Sequence, residues 1–323
     1  MNISNPTMDS IQKIFQIVEN HPALIQKQKD QDVQIKALNE RFSKLELKMA
    51  KTPDEKCPKC ETIESALKEN HLTCYKWHFN KIASPDISGL CTDAAINGSL
   101  EVVKFLIELG ADIHQNDDDL IRWASEKDHL DMVKFLVGKG ANIHIMFDSP
   151  LRRASENGNL DMVKFLLEKG ANVHAWTDGA LQSASENGHL EVVKVLVDAG
   201  SDIHAVDNYS LRYASVKGRL EVVKFLVGAG AYIHADDDFA VRWASEKGHL
   251  DVVKFLVSSG ADIHANNDLA VRYACANGHL DVVKFLVASG ANVHASFSAT
   301  LQDAMKKKNM EMVNYLVSIW ANN

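Results

Sequence analysis

Seven histidines recur in the sequence at intervals of thirty residues: His114, His144, His174, His204, His234, His264 and His294. Histidine is a common metal ligand and titrates near neutral pH, so such a column could bind metal or transfer protons. Two histidines that share one zinc ion each lie about 2.0–2.1 Å from it. Equivalent residues of packed neighbouring helices are roughly 10 Å apart at the backbone. We therefore interpret these imidazoles as hydrogen-bonding the backbone of a nearby loop or turn.

A second set of histidines is interrupted, which argues against catalysis. His129, His189, His249 and His279 also follow the thirty-residue register, but Asn159 and Arg219 occupy the same position in two copies. A catalytic group would not be exchanged so freely. No nucleophile–base pair, phosphate-binding loop or carboxylate dyad stands out from the periodic background, so we expect a protein that is not an enzyme and has no cofactor.

Cys57 and Cys60 have the spacing of zinc ligands, and His71, Cys74 and His78 follow them. However, residues 66–78 align with residues 94–106, which places Cys74 on the buried face of a helix, about 12 Å from Cys57 and Cys60. We therefore interpret residues 56–84 as a degenerate N-terminal capping repeat without metal. A metal-binding regulator built on Cys57 and Cys60 is an alternative. Five cysteines, an odd number, are no disulfide framework and indicate an intracellular, cytoplasmic protein.

The elements that carry these residues are repeats. Glycines at 110, 140, 170, 200, 230, 260 and 290 keep the same period, and eight in-phase copies run from about residue 85 onward. In one copy, helical spacing predicts a first helix over 269–277, a break at Gly278, and a second helix over 279–289. Gly290 is expected to end that helix in a left-handed conformation. The second helix is apolar nearly all round, so copies must stack on both sides of it, which predicts an all-α solenoid.

The stretch "NGHLEVVKVLVDAGSDIHA" (187–205) resembles the ankyrin repeat in its glycine-histidine-leucine turn, its "EVVK" helix and its exit sequence. The resemblance covers roughly residues 85–320 and implies stacked helix–turn–helix layers, fingers formed by hairpins or loops, and protein–protein recognition. Ankyrin repeats usually have about 33 residues. The thirty-residue period here therefore predicts shortened fingers. The thirty-residue copies also resemble those in the ankyrin proteins of giant DNA viruses of amoebae. That resemblance implies a host or viral protein as the partner and the host cell as the location of this protein.

Partner recognition is expected where the copies differ. The most divergent segments are the fingers, defined here as residues 115–119, 145–149, 175–179, 205–209, 235–239, 265–269 and 295–299. Exposed aromatic side chains have the composition of interface anchors. The candidate partner-binding residues are Phe147, Trp176, Tyr209, Asp237, Phe239 and Phe297 in fingers, with Trp123 and Trp243 in first helices.

Alternatives remain for these side chains. Each finger ring could pack on the neighbouring finger, and the first-helix aromatics could fill gaps between repeats. The arginine column could either bond finger carbonyls or line a groove for an acidic partner; its members are Arg122, Arg152, Arg212, Arg242 and Arg272.

Residues 1–55 form a separate extension that reads as helical. Ile35, Leu38, Phe42, Leu45 and Met49 have heptad spacing, which is typical of a short coiled coil. Two heptads are short for independent stability, so we expect an amphipathic or loose extension and a monomer. An oligomeric assembly component joined through residues 35–49 is the alternative. Residues 85–323 form the repeat domain, whose last copy, with lysines at 306–308, serves as a C-terminal cap.

The formal net charge of −8 argues against nucleic acid and anionic membranes as partners. No apolar run approaches the roughly 20 residues of a membrane-spanning helix, and the first residues lack the pattern of a signal peptide. The expected partner is therefore an unidentified protein.

Overall fold

A computed structural model describes residues 61–80, 82, 85–293 and 297–321. The predictions for the extension at 1–55, the heptad segment at 35–49 and the cysteines at 57 and 60 lie outside these residues, as does the side chain of Phe297. All regular secondary structure in the described residues is helical, and no strand occurs there. The chain divides into two compact units, Met1–Gln115 and Asn116–Asn323.

The described residues of the first unit form two helix pairs. Their bounds are α1 (Ile63–Lys68), α2 (Leu72–Phe79), α3 (Ile87–Ile96) and α4 (Leu100–Glu108). Thr62 and Ser65 cap α1 reciprocally through their side chains. The ring of Phe79 lies 5.6 Å from that of Phe105, edge to face, and Ser99 Oγ donates to the Leu67 carbonyl over 2.6 Å. These contacts join the two pairs.

Seven further helix pairs follow the same register, and α5 begins at the last residue of the first unit. The first helices are α5 (Gln115–Glu126), α7 (Ile145–Asn157), α9 (Ala175–Asn187), α11 (Ala205–Val216), α13 (Ala235–Lys247), α15 (Ala265–Asn277) and α17 (Phe297–Lys306). The second helices are α6 (Leu130–Gly138), α8 (Leu160–Glu168), α10 (Leu190–Asp198), α12 (Leu220–Gly228), α14 (Leu250–Ser258), α16 (Leu280–Ala288) and α18 (Met310–Ala321).

The core of the second unit lies between two layers of stacked helices. First helices pack on first helices from α7 to α17, and second helices on second helices from α8 to α16. The second helices from α6 to α16 bury the same three positions, as in Val252, Val253 and Leu256 of α14, while the first helices contribute small residues such as Ala244. Small residues let the layers approach closely, and the apolar stripe of each copy is covered by its neighbours. The predicted all-α solenoid of stacked helix–turn–helix repeats is confirmed.

In the copy at residues 265–290, the two helices begin and end close to where the sequence predicts. Right-handed helix begins at Leu269, after three residues of a different conformation, and runs to Asn277. Gly278 has φ +82° and Gly290 has φ +104°, and the second helix covers Leu280–Ala288. Both glycines are therefore left-handed, as expected for Gly290.

The fingers from 145–149 to 265–269 are left-handed turns. In five of them three consecutive residues have φ between +46° and +61°: 146–148, 176–178, 206–208, 236–238 and 266–268. For residues other than glycine this conformation costs roughly 1–2 kcal/mol each, and least for asparagine and aspartate. Such a finger needs only these three residues between loop and helix, which accounts for the short repeat period.

Candidate protein interface

A buried carboxylate, or in one copy the amide of Asn208, holds each of these left-handed fingers in place. The third residue of the turn, for example Asp178, is only 5% exposed. Its Oδ1 lies 3.1 Å from His174 Nδ1 and accepts the backbone N–H of Asp202, in the next repeat, over 2.8 Å. The same bond to a backbone N–H is made by Asp118, Asp148, Asn208, Asp238 and Asp268. These bonds offset part of the backbone cost and fix each finger to its neighbour.

The histidine column therefore contacts a side chain rather than the loop backbone that we expected. Nδ1 of His144, His174, His204, His234 or His264 lies within 3.1 Å of the acidic or amide oxygen four residues later. His294 lies outside the described residues. Across the described part of the chain, no group of three or more His, Cys, Asp or Glu side chains is arranged to hold a metal ion.

The second histidine set joins neighbouring repeats on the turn side. Nε2 of His189 lies 2.9 Å from the Glu156 carbonyl, and His249 and His279 repeat this bond. Arg219 replaces the imidazole and donates from Nε to the Glu186 carbonyl over 3.1 Å. The interruption by arginine noted in the sequence thus preserves the bond.

The junction between Asp128 and Asn159 departs from this pattern. Asp128 stands where five later turns carry glycine, and Asn159 stands where His189, Arg219, His249 and His279 make the bond, while the last copy has Lys308 and Asn309 at these two positions. Asn159 Nδ2 is buried without a partner, while Asn157 donates to the Glu126 carbonyl instead. An open depression of about 470 Å³ lies beside this shorter side chain and is lined by polar and charged residues. Its lining residues are Glu126, Lys127, Asp128, Arg153, Glu156, Asn157 and Asn159.

A second surface lies at the finger tips. We define the finger-tip cluster as Met146, Phe147, Trp176 and Val206, which occupy three consecutive fingers. All four are more than half exposed, with Phe147 at 68% and Trp176 at 60%. The two rings meet edge to face, with centroids 5.8 Å apart. Large apolar side chains on the surface of three successive repeats are typical of an interaction site.

Trp176 is held in position although it is exposed. The Arg152 guanidinium lies 5.7 Å from its ring. Gly179 leaves room for the indole, because a Cβ there would lie 3.1 Å from Trp176 Cδ1. An anchor that is already positioned loses little conformational entropy on binding.

Three further candidates, Tyr209, Phe239 and Trp243, form a third group together with Tyr213 and Tyr273, which we call the aromatic ladder. Tyr209 stacks on Tyr213 at 4.0 Å. The ladder continues through centroid distances of 6.0, 5.3 and 5.9 Å to Tyr273. All five rings are half-buried on the first helices and the adjoining ends of the fingers. Tyr209 and Phe239 therefore fill gaps between repeats and expose only part of each ring.

Trp123 belongs to neither group. It is half-buried, with the Arg122 guanidinium 4.2 Å from its ring, and lies three repeats before Tyr213 in the sequence. The candidate list drawn from the sequence missed Met146 and Val206 at the finger tips and Tyr213 and Tyr273 in the ladder. Alignment of the copies contained the signal, because Met146, Trp176 and Val206 occupy the same finger position.

Carboxylates lie beside the finger-tip cluster. Asp207, Asp236 and Asp237 are exposed. Arg212 pairs with Asp207 over 3.4 Å and with Asp236 over 3.1 Å. Arg242, only 8% exposed, donates to the carbonyls of Asp237 and Asp236 over 2.7 and 2.6 Å. The arginine column thus serves the fingers, through carbonyls at Arg242 and through carboxylates at Arg212.

Burial makes two cysteine thiols of the chain poor nucleophiles. Desolvation raises the pKa of Cys91 to about 12 and that of Cys275 to about 12, so both stay protonated at neutral pH. Burial, followed by the charge of Glu186, also raises the pKa of Tyr209.

Within the described part of the chain, no helix is both long enough and apolar enough to cross a bilayer.

Comparison with known proteins identifies the repeats. The family model described as ankyrin repeats (3 copies) matches the chain six times, over residues 63–147, 91–176, 121–207, 151–237, 211–297 and 241–323. Together the matches cover residues 63–323 without a gap, well over half of the chain. No curated protein matches the sequence.

Proposed function

Because the chain belongs to the ankyrin repeat family, whose repeats are generally protein–protein interaction modules, we propose that it is a non-enzymatic scaffold that binds a protein partner. Binding takes place through the variable fingers and the adjoining face of the first helices. The proposal specifies two contact areas, the finger-tip cluster and the aromatic ladder.

The observation that carries the proposal is the pair formed by Phe147 and Trp176. Both are mostly exposed and touch edge to face at adjacent finger tips. Trp176 is also fixed by Arg152 and Gly179. Binding energy at protein interfaces is concentrated in a few such positioned aromatic residues.

The aromatic ladder would act as the second contact area. Its half-buried rings already pack on each other, so a partner would cover only their outer edges. We therefore assign a smaller share of the binding energy to Tyr209, Phe239 and Trp243 than to Phe147 and Trp176. Asp237 contributes charge rather than apolar contact.

The remaining parts of the proposal concern compartment and assembly. We propose an intracellular location, which the free thiols of Cys74, Cys91 and Cys275 support, and separately a partner of host or viral origin. The coiled-coil alternative at 35–49 and the metal alternative at Cys57 and Cys60 rest on residues outside the described part and stay predictions. The proposed boundaries, 1–55, 56–84 and 85–323, also stay predictions, as does a monomer.

Affinity purification followed by mass spectrometry tests the proposal. The bait proteins are the wild type, the double variant F147A/W176A, and Y232A as a control. Tyr232 is 56% exposed but lies outside both contact areas. We expect at least one partner to be captured by the wild type and Y232A and lost with F147A/W176A. Thermal unfolding of the three proteins should agree closely, because the replaced rings are more exposed than buried. Equal capture by all three proteins would exclude the finger tips as the binding site.

A further inference from the structure

The composition of the finger tips changes along the stack. The second finger position is occupied in order by Met146, Trp176, Val206, Asp236 and Asn266. The third position is occupied by Phe147, Thr177, Asp207, Asp237 and Asn267. The tip is therefore apolar in the first of these fingers, combines an indole with a hydroxyl in the second, is mixed in the third, and is acidic in the fourth.

Nothing within the fold accounts for the apolar half. The four side chains of the finger-tip cluster are between 51% and 68% exposed, so burial does not stabilise them. Their backbone is left-handed as well, with φ between +46° and +58°. That conformation is least favourable for bulky or β-branched residues such as Val206 and is tolerated by Asp and Asn. The fingers at 236–238 and 266–268 have the same backbone conformation and consist only of Asp and Asn. The conformation itself therefore does not require apolar residues.

The acidic finger residues Asp207, Asp236 and Asp237 carry negative charge that other side chains of the fold neutralise only in part. The side chains of Asp207 and Asp236 are 59% and 47% exposed and share one cation, Arg212. Asp237 is exposed, and its carboxylate makes no ion pair with any described residue. Arg242 bonds the backbone there rather than a carboxylate. An approaching cation would meet a negative surface at these two fingers.

We infer that the partner presents one polypeptide segment in which bulky apolar side chains adjoin lysines or arginines. This inference rests on the proposed function and specifies the chemistry of the partner. The apolar side chains contact the finger-tip cluster, and the basic side chains contact Asp207, Asp236 and Asp237. Repeats are about 10 Å apart and an extended chain advances about 3.3 Å per residue, so one repeat corresponds to about three residues. A segment of about twelve residues therefore covers the four fingers.

The test uses a random library of twelve-residue peptides displayed on phage and selected on the immobilised full-length chain. The consensus of the selected sequences is the first readout. The most frequent peptide is then synthesised, and its affinity is measured by fluorescence anisotropy at two salt concentrations. The variants are W176A and D236N/D237N, with controls Y232A and D251N. Asp251 is an exposed carboxylate on α14, away from the fingers.

We expect selected peptides to combine aromatic or aliphatic residues with Lys or Arg. W176A should weaken binding by about tenfold or more, as is typical of a central aromatic anchor. D236N/D237N should weaken it by roughly threefold to tenfold and reduce its dependence on salt. Both controls should stay within about twofold of the wild type, because neither changes a proposed contact.

Four results would overturn the inference. Selected peptides without basic residues, or equal affinities for D236N/D237N and D251N, would refute the basic segment while leaving a protein-binding finger surface in place. Selection of no peptide above an empty support would also count against it. Binding to phosphatidylcholine vesicles that W176A abolishes would assign the apolar tips to a membrane. Failure of the proposed function itself has a separate signature, namely partner capture from cells that F147A/W176A leaves unchanged.

Discussion

A turn glycine and the bonding side chain thirty-one residues later make one steric unit. A Cβ on Gly158 would lie 2.4 Å from Nδ1 of His189, and the same conflict arises between Gly218 and His249. The imidazole therefore fits only over a glycine. Asp128 has a Cβ and also a left-handed backbone, with φ +60°. The short Asn159 beside it thus follows from sterics, and the polar depression lies next to this pair.

The pair Asp128 and Asn159 should show strong coupling. N159H alone should lower the free energy of unfolding by about 1–3 kcal/mol, since the ring meets the Asp128 side chain. D128G alone should change it by about 1 kcal/mol or less, through relief of the left-handed backbone. The double variant D128G/N159H should have a higher free energy of unfolding than either single variant, because the imidazole then reaches the Glu126 carbonyl. Urea unfolding followed by circular dichroism measures this. Additive effects, within about 0.5 kcal/mol, would contradict the steric account.

At the scale of the element, the finger combines an unfavourable backbone with a fixed position. Three left-handed residues in a row oppose local preference, most of all with Trp176 or Val206 in the turn. The buried carboxylate that bonds the next repeat compensates only in part. Fingers with apolar tips are therefore less stable than the same turn made of Asp and Asn. Stability and recognition oppose each other at these positions.

Replacement of a finger-tip residue should separate these two properties. V206N should raise the free energy of unfolding by up to about 1 kcal/mol, because asparagine tolerates the left-handed conformation. It should at the same time weaken partner binding through loss of an apolar contact. The converse change, N266V, is the matched control and should destabilise by a similar amount. Unfolding midpoints in urea measure both changes, and a destabilised V206N would show that the valine packs more than its exposure indicates.

Helices could be predicted from the sequence here, whereas the finger backbone could not. Helical spacing, Gly278 and Gly290 determine the two helices of a copy locally, so residues 269–277 were assigned correctly. The left-handed turn depends on a bond between Asp268 and the N–H of Asn292, twenty-four residues apart, which no local pattern reveals.

The site could be predicted only in part for a similar reason. Alignment of the copies brings Phe147 and Trp176 to the same edge. However, Tyr209 and Phe239 hold the last finger position, next to the helix, and pack back onto it. Position within the finger therefore decides exposure, and aromatic composition alone does not.

At the scale of the second unit, each repeat is coupled energetically to the repeats next to it. The finger carboxylates and the Asn208 amide bond the repeat that follows. The turn side chains of His189, Arg219, His249 and His279 bond the repeat that precedes. No described hydrogen bond between side chain and backbone in this unit reaches beyond an adjacent copy. The stability of such a stack is approximately a sum of repeat and interface contributions.

A change at one junction should therefore act locally. D178A removes the bonds to His174 and to the N–H of Asp202 and should destabilise that junction by about 1–3 kcal/mol. D178N should be far milder, because Asn208 makes the same bonds naturally. D178A should increase the hydrogen-exchange rates of backbone amides in α8 to α11 and leave the rates in α14 to α16 nearly unchanged. Equal acceleration throughout the unit would indicate global cooperativity instead.

The glycine–histidine junction also determines how such a chain can lengthen. A duplicated thirty-residue copy carries a turn glycine for its successor and an imidazole for its predecessor, so tandem duplication within residues 188–279 creates junctions that are already compatible. A copy inserted between Asp128 and Asn159 would instead set an imidazole against the aspartate, whereas an asparagine over a glycine already occurs at Gly278 and Asn309. Duplication is thus compatible within residues 188–279 and blocked after Asp128, where a glycine must first replace the aspartate.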